Sequence, residues 1–101
     1  MDDEPKRIDV DALPGPVLLE FGTPWCGYCG RAQPLIAEAL AQHPGIRHIK
    51  VTDASGKPLG RSFGVQLWPT LVFLKNGRET ARVVRPSRTD EIRSALEAID
   101  A

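Results

Sequence analysis

The chain has two cysteines, Cys26 and Cys29, within the stretch FGTPWCGYC. As a structural cross-link they would be poorly placed. A disulfide stabilises mainly by closing a loop of the unfolded chain, and a four-residue loop gives about 2 kcal/mol where a hundred-residue loop gives about 4.7. Chemistry is the better use of the spacing: one thiolate attacks a disulfide sulfur, and a second thiol one helical turn away completes the exchange. Zinc binding is the rival use. Two thiolates are half of a tetrahedral shell, so His43 and His48 would have to supply the rest.

Two thiols need rigid elements to hold them, and the flanking pattern provides a strand and a helix. Val17 to Phe21 is apolar except for Glu20 and lies between Pro14-Gly15-Pro16 and Gly22-Thr23-Pro24, which suits a buried strand. From Gly27 onward Ala32, Leu35, Ile36, Ala39 and Leu40 recur at helical spacing until Pro44-Gly45. Cys26 therefore meets the free N–H groups and positive dipole end of a helix, both of which favour thiolate, while Cys29 lies one turn inside. Lowering a thiol from about 8.5 to about 7 takes about 2 kcal/mol, and the dipole gives only about 0.3–1. Hydrogen bonds from the Cys29 S–H and the first helical amides must supply the remainder. Cys26 is thus the expected nucleophile and Cys29 the shielded resolving thiol.

Further along, Ile46 to Val51 reads as a second strand, and the segment 53–64 holds a short helix around Leu59 and Phe63, closed by Gly64. Leu71 to Leu74 and Glu79 to Val84 flank Asn76-Gly77, so they form an antiparallel hairpin. A last helix is capped by Ser87 or Thr89, carries Asp90 and Glu91 in its first turn, and buries Ile92, Ala95, Leu96 and Ile99. The order strand, helix, strand, short helix, hairpin, helix predicts an α/β fold with a mixed sheet flanked by helices on both faces, as one domain over 1–101. Within the first strand Glu20 shares a face with Leu18. Burial there should raise its pKa toward neutrality, and if it lacks a partner Glu20→Ala should be stabilising.

Thirteen basic and thirteen acidic residues leave no net charge, so no overall field draws the chain to nucleic acid or an anionic membrane. Arg82, Arg85 and Arg88 make a local basic cluster. No apolar run approaches the roughly eighteen residues of a membrane span. The opening MDDEPKRIDV has an acidic head and no secretory pattern, so a chain that starts here is expected in the cytoplasm, where thiols are kept reduced.

Four features together resemble the thioredoxin family over about 17–99: WCGYC at 25–29, Pro34 five residues past Cys29, Glu20 six before Cys26, and Pro69-Thr70. The resemblance implies a thioredoxin fold, and a monomer whose only redox group is the Cys26–Cys29 disulfide, with no bound cofactor. Its partners would be disulfide-containing proteins and an electron-donating reductase such as a thioredoxin reductase. It also implies that Glu20 accepts the Cys29 proton through water, and that Pro34 kinks the helix. Read alone, Pro69 is a strand-entry proline, since about 95% of X–Pro bonds are trans. The resemblance instead implies a cis bond, with Pro69 and Thr70 facing the cysteines and the preceding backbone pairing with substrate as an added strand. Trp25, Gly27, Tyr28, Trp68 and Arg85 complete the implied substrate surface. Trp25 would cover the site, and Trp68 would be either core or a wide apolar surface beside the cysteines.

The chain departs from the family where aspartate is commoner than Glu20, a small aliphatic residue commoner than Trp68, and glycine commoner than Arg85. Tyr28 replaces the proline of reductive members, and Gly-Tyr there is similar to some disulfide isomerases. Reductase, isomerase or oxidant, and non-enzymatic binding module all remain open.

Overall fold

A computed structural model describes residues 4–100; Asp2 and Asp3 of the acidic head, and the outermost ends of the expected 1–101 domain, lie outside the described residues. The elements run α1 (Arg7–Asp11), β1 (Pro16–Gly22), α2 (Gly27–Leu40), β2 (Arg47–Thr52), α3 (Pro58–Ser62), β3 (Thr70–Lys75), β4 (Arg78–Val84) and α4 (Thr89–Ile99). Four strands form one sheet in the order β2-β1-β3-β4. β1 is parallel to β2 and antiparallel to β3, and β3 is antiparallel to β4, so the sheet is mixed.

Alternation along the central strands divides the core in two. Leu18, Leu71 and Phe73 face α2 and α4, packing on Ala32, Ile36, Ile92 and Leu96. Val17, Leu19, Phe21, Val72 and Leu74 face the other way, onto Val10 of α1, Leu59 of α3 and Phe63. Both faces of β1 and β3 are therefore covered. This explains why Val17 to Phe21 is almost continuously apolar rather than alternating.

α1 escaped the sequence reading because it is a single turn whose one buried residue is Val10, too short to show a period. The start of α4 also differs from expectation. Its N-cap is Arg88, and Glu91 reaches back to accept from the backbone N–H groups of Ser87 and Arg88. The Ser87 hydroxyl donates to Glu91 and the Thr89 hydroxyl to Glu38, so neither caps the helix. One carboxylate placed in the first turn does the work of the expected hydroxyl.

The hairpin behaves as Asn76-Gly77 predicts, with φ of 51° and 80° at the two turn residues. Asn76 also ties the turn to the loop before β1, its side-chain oxygen accepting from the Gly15 N–H at 2.8 Å. A Cβ on Gly77 would collide with the backbone of Asp11 as well as meeting the left-handed φ. Gly77→Ala is expected to cost about 2 kcal/mol and to lower the melting temperature by about 10 °C, read by calorimetry. An unchanged melting temperature would mean that the packing of α1 on this turn yields freely.

Candidate active site

β1 ends at Gly22, and the chain turns through Thr23-Pro24-Trp25 into α2. Cys26 is the N-cap, with extended backbone (φ −85°, ψ 122°), and its Sγ accepts from the Cys29 N–H at 3.3 Å. Cys29 is buried at 4% exposure, against the last residue of β1. Gly22 is required there, because a Cβ would lie 2.7 Å from Cys29 Sγ. The two thiols are free, not bridged.

Their environments push them apart. Burial raises the Cys26 thiol, but bonds from the Cys29 side chain, the backbone N–H groups of Cys29 and Tyr28, and the charge of Arg85 bring it below the ordinary value. Burial pushes Cys29 up to about 11, helped by its bond to Cys26 and by the negative charges of Cys26 and Glu20 against the Thr23 backbone N–H. The charge of Arg85 was not among the contributions anticipated from the helix alone.

Glu20, 3% exposed, sits behind this pair but is not partnerless. His48 Nε2 lies 2.7 Å from its Oε1, and Gln33 Nε2 donates to its Oε2 at 2.8 Å and to the Cys29 carbonyl at 3.0 Å. Lys50 donates to Gln33 Oε1 at 3.0 Å, closing a network across β1, β2 and α2. This overturns the expected neutral-range pKa. Burial raises it, yet the bonds from His48 and Gln33 and the charges of His48 and Lys50 together hold the carboxyl below its usual value. Glu20, Cys29, Gln33 and Lys50 line one open pocket of about 160 Å³ with Gly22, Thr23, Val51 and Thr52, large enough to admit water to its polar groups. The sequence reading passed over Gln33 and Lys50. Gln33 was detectable as the residue one turn beyond Cys29, on the same helix face.

On the other side of Cys26 the Trp68–Pro69 bond is cis. The Trp68 carbonyl faces Cys26 Sγ at 3.9 Å and accepts from Arg85 Nε at 2.9 Å. Of the two readings of Trp68, the inward one describes its indole. The ring packs against the core under the sheet, and its N–H donates to Asp53 at 2.9 Å, a fully buried carboxylate that also pairs with Arg61. Thr70 is buried too, but its hydroxyl turns back to the Leu67 carbonyl at 2.6 Å rather than to the cysteines. Trp25 precedes Cys26 and is 77% exposed, Gly27 opens α2, and Tyr28 follows half-exposed.

The basic cluster does not act as a unit. Arg82 is held by Glu79 and the Phe63 carbonyl, and Arg88 by Asp90, which leaves Arg85 alone directed to the site. Its φ of 51° accounts for the preference for glycine at this position. The histidines of the zinc alternative are likewise engaged elsewhere, His43 with Asp100 and His48 with Glu20. Among the described residues no group of three or more His, Cys, Asp or Glu is placed to hold a metal ion, and no helix is long and apolar enough to cross a membrane.

Residues 6–98 match the family described as Thioredoxin. The reduced form of thioredoxin 2 from Pseudomonas aeruginosa PAO1 superposes with a TM-score of 0.89 at 51% identity, covering 99% of this chain and 93% of that one. An H-type thioredoxin of Oryza sativa subsp. indica is 31% identical over 79% of this chain and 65% of its own length. Protein disulfide-isomerase A3 of Gallus gallus is 36% identical over 82% of this chain but only 17% of that protein. The chain thus spans about two thirds or less of the first curated relatives it matches.

Proposed function

Because the chain belongs to the thioredoxin family, whose members exchange thiols and disulfides, we propose that it is a protein-disulfide reductase working through Cys26 and Cys29. The observation that carries this reading is the opposed pair: an accessible thiol held below its ordinary pKa at a helix N-terminus, and a buried one at about 11 directly behind it. The Cys26 thiolate attacks one sulfur of a partner disulfide, forming the Cys26–partner bond as the partner's S–S bond breaks; the departing thiolate takes a proton from water. Cys29 then loses its proton toward the cavity that it shares with Glu20, and its thiolate attacks Cys26 Sγ. The Cys26–Cys29 disulfide forms and the second partner thiolate leaves and, like the first, takes a proton from water, so two electrons have passed to the partner and its two protons are balanced by those that Cys26 and Cys29 gave up. An electron-donating reductase, of the thioredoxin-reductase kind, restores the dithiol. A monomer in a compartment that keeps thiols reduced suffices, with no further cofactor. The first test is reduction of insulin disulfides with dithiothreitol as electron source; a rate no higher than dithiothreitol alone would refute the reading.

One observation favours a disulfide isomerase or oxidant instead. Tyr28 contributes a backbone N–H to the Cys26 thiolate, which stabilises the reduced form and makes the pair more oxidising. Proline at 28 has no N–H to give. Tyr28→Pro is therefore expected to lower the reduction potential by about 30 mV or more, the equivalent of a hydrogen bond to a charged group. Equilibration with glutathione measures it. A potential that stays or rises would show that the Tyr28 amide does not set the poise, and the wild-type value itself separates reductase from isomerase.

A further inference from the structure

Resting on the reductase reading, we propose that Arg85 and Arg31 form a carboxylate-reading rim beside Cys26, selecting protein disulfides whose reacting half-cystine is followed by an acidic residue. Both guanidinium groups lie on one ring, Arg85 at 3.8 Å and Arg31 at 4.7 Å from the centroid of the half-exposed Tyr28. Arg85 is fixed at three points. Its backbone holds φ 51°, its N–H donates to the Pro69 carbonyl at 3.0 Å, and its Nε donates to the Trp68 carbonyl at 2.9 Å. That same carbonyl faces Cys26 Sγ, so the charge stands one residue's reach from the reacting sulfur.

A non-glycine residue in this region of φ costs energy that structure elsewhere must offset. Glycine would serve the backbone better, so what the arginine adds is its side chain. With Nε committed to Trp68, its terminal N–H groups remain to grip a planar carboxylate. Of the seven other arginines, Arg7, Arg61, Arg82, Arg88 and Arg93 each hold a carboxylate, and among the described residues Arg47 and Arg78 have no ion pair but also no ring to stack on. Among the described residues Arg85 and Arg31 have no ion-pair partner, and stacking on Tyr28 keeps them aimed over the site. Since the chain has no net charge, discrimination must come from this placement, acting within about one Debye length, roughly 8 Å. The occupant is a protein segment, because exposed Trp25 and Leu67 offer apolar contact on the same surface.

The test uses three disulfide-linked peptide substrates, identical except for Glu, Gln or Lys after the reacting cysteine. For the wild-type protein kcat/KM should favour Glu over Lys about 10-fold in dilute buffer, and the ratio should shrink in 1 M salt. Arg85→Met combined with Arg31→Met should bring the ratio below about 2-fold. Arg85→Gly, which suits the backbone, secures a folded variant and should reduce the ratio part-way. The ratio is the readout, so any change in Cys26 reactivity common to all three peptides cancels. A wild-type enzyme that reduces the Gln peptide without preferring Glu to Lys overturns the inference alone. A preference that survives the double substitution also overturns it, as does acceleration by Arg85 of glutathione disulfide but not of the Glu peptide. No turnover of the Gln peptide overturns the reductase reading, and the inference with it.

Discussion

Cys29→Ser is expected to accumulate mixed disulfides with partner proteins, whereas Cys26→Ser should trap almost none. Attack needs the thiolate at 26 and resolution needs the thiol at 29, so removing the second stops the cycle after its first bond has formed. The asymmetry should also be visible without partners. At pH 7 a thiol at about 11, as Cys29 is, is about 0.01% thiolate. A thiol held below its ordinary value exceeds about 1%, so limited alkylation should mark Cys26 at least about 100-fold faster. Burial of Cys29 widens the gap. Mass spectrometry of the labelled peptide and of the trapped adducts reads both outcomes. Equal labelling, or trapping by Cys26→Ser, would reverse the assigned roles.

Glu20→Gln should slow release of the mixed disulfide by about 100-fold at pH 7, at the lower end of what a positioned general base contributes. The amide keeps the shape but cannot accept the Cys29 proton. Because its neighbours hold the Glu20 carboxyl below its usual value, the wild type should keep its acceptor ionised down through the mildly acidic range and lose resolution only as pH falls through that lowered pKa. His48→Ala removes the first of the bonds that lower it, so the acid limb of the resolution rate should move to higher pH. Rapid-mixing measurement of resolution from pH 4 to 8 decides this. A Glu20→Gln rate equal to wild type at every pH would remove Glu20 from the chemistry.

The same network reverses the expected stability effect. Glu20→Ala strands His48 and Gln33, each losing a hydrogen bond to a charged group, and should destabilise by about 2 kcal/mol. A carboxyl whose folded pKa lies below its unfolded value of about 4.3 adds stability above that pH and loses it as pH falls through the folded value. The gap between wild type and Glu20→Ala in denaturant midpoint should therefore be full at pH 7 and shrink below about pH 4. A stabilised variant would restore the picture of a partnerless acid.

What the amino-acid sequence determined by itself is local in origin. The strand over Val17 to Phe21, the helix opening at Gly27, the Asn76-Gly77 hairpin and the place of each cysteine at or inside a helix start all follow from patterns within a dozen residues. A motif that specific carried the family, and with it the cis bond at Pro69. The surroundings of Glu20 were decided only in three dimensions. β1 pairs with β2 so that Glu20 lies opposite Lys50 and Leu18 opposite His48, which brings two residues from nearly thirty positions away onto its face. No local pattern sets that register, because β2 is a half-exposed edge strand and its polar residues read as solvated. The direction of the Glu20 pKa hung on those contacts, since burial alone pushes it the other way. The choice between the two readings of Trp68, and the fate of Arg82 and Arg88, stayed open for the same reason. A side chain's type says what it can bond, and only packing says which partner reaches it first: Asp53 for the indole, Glu79 and Asp90 for the two arginines, and none among the described carboxylates for Arg85.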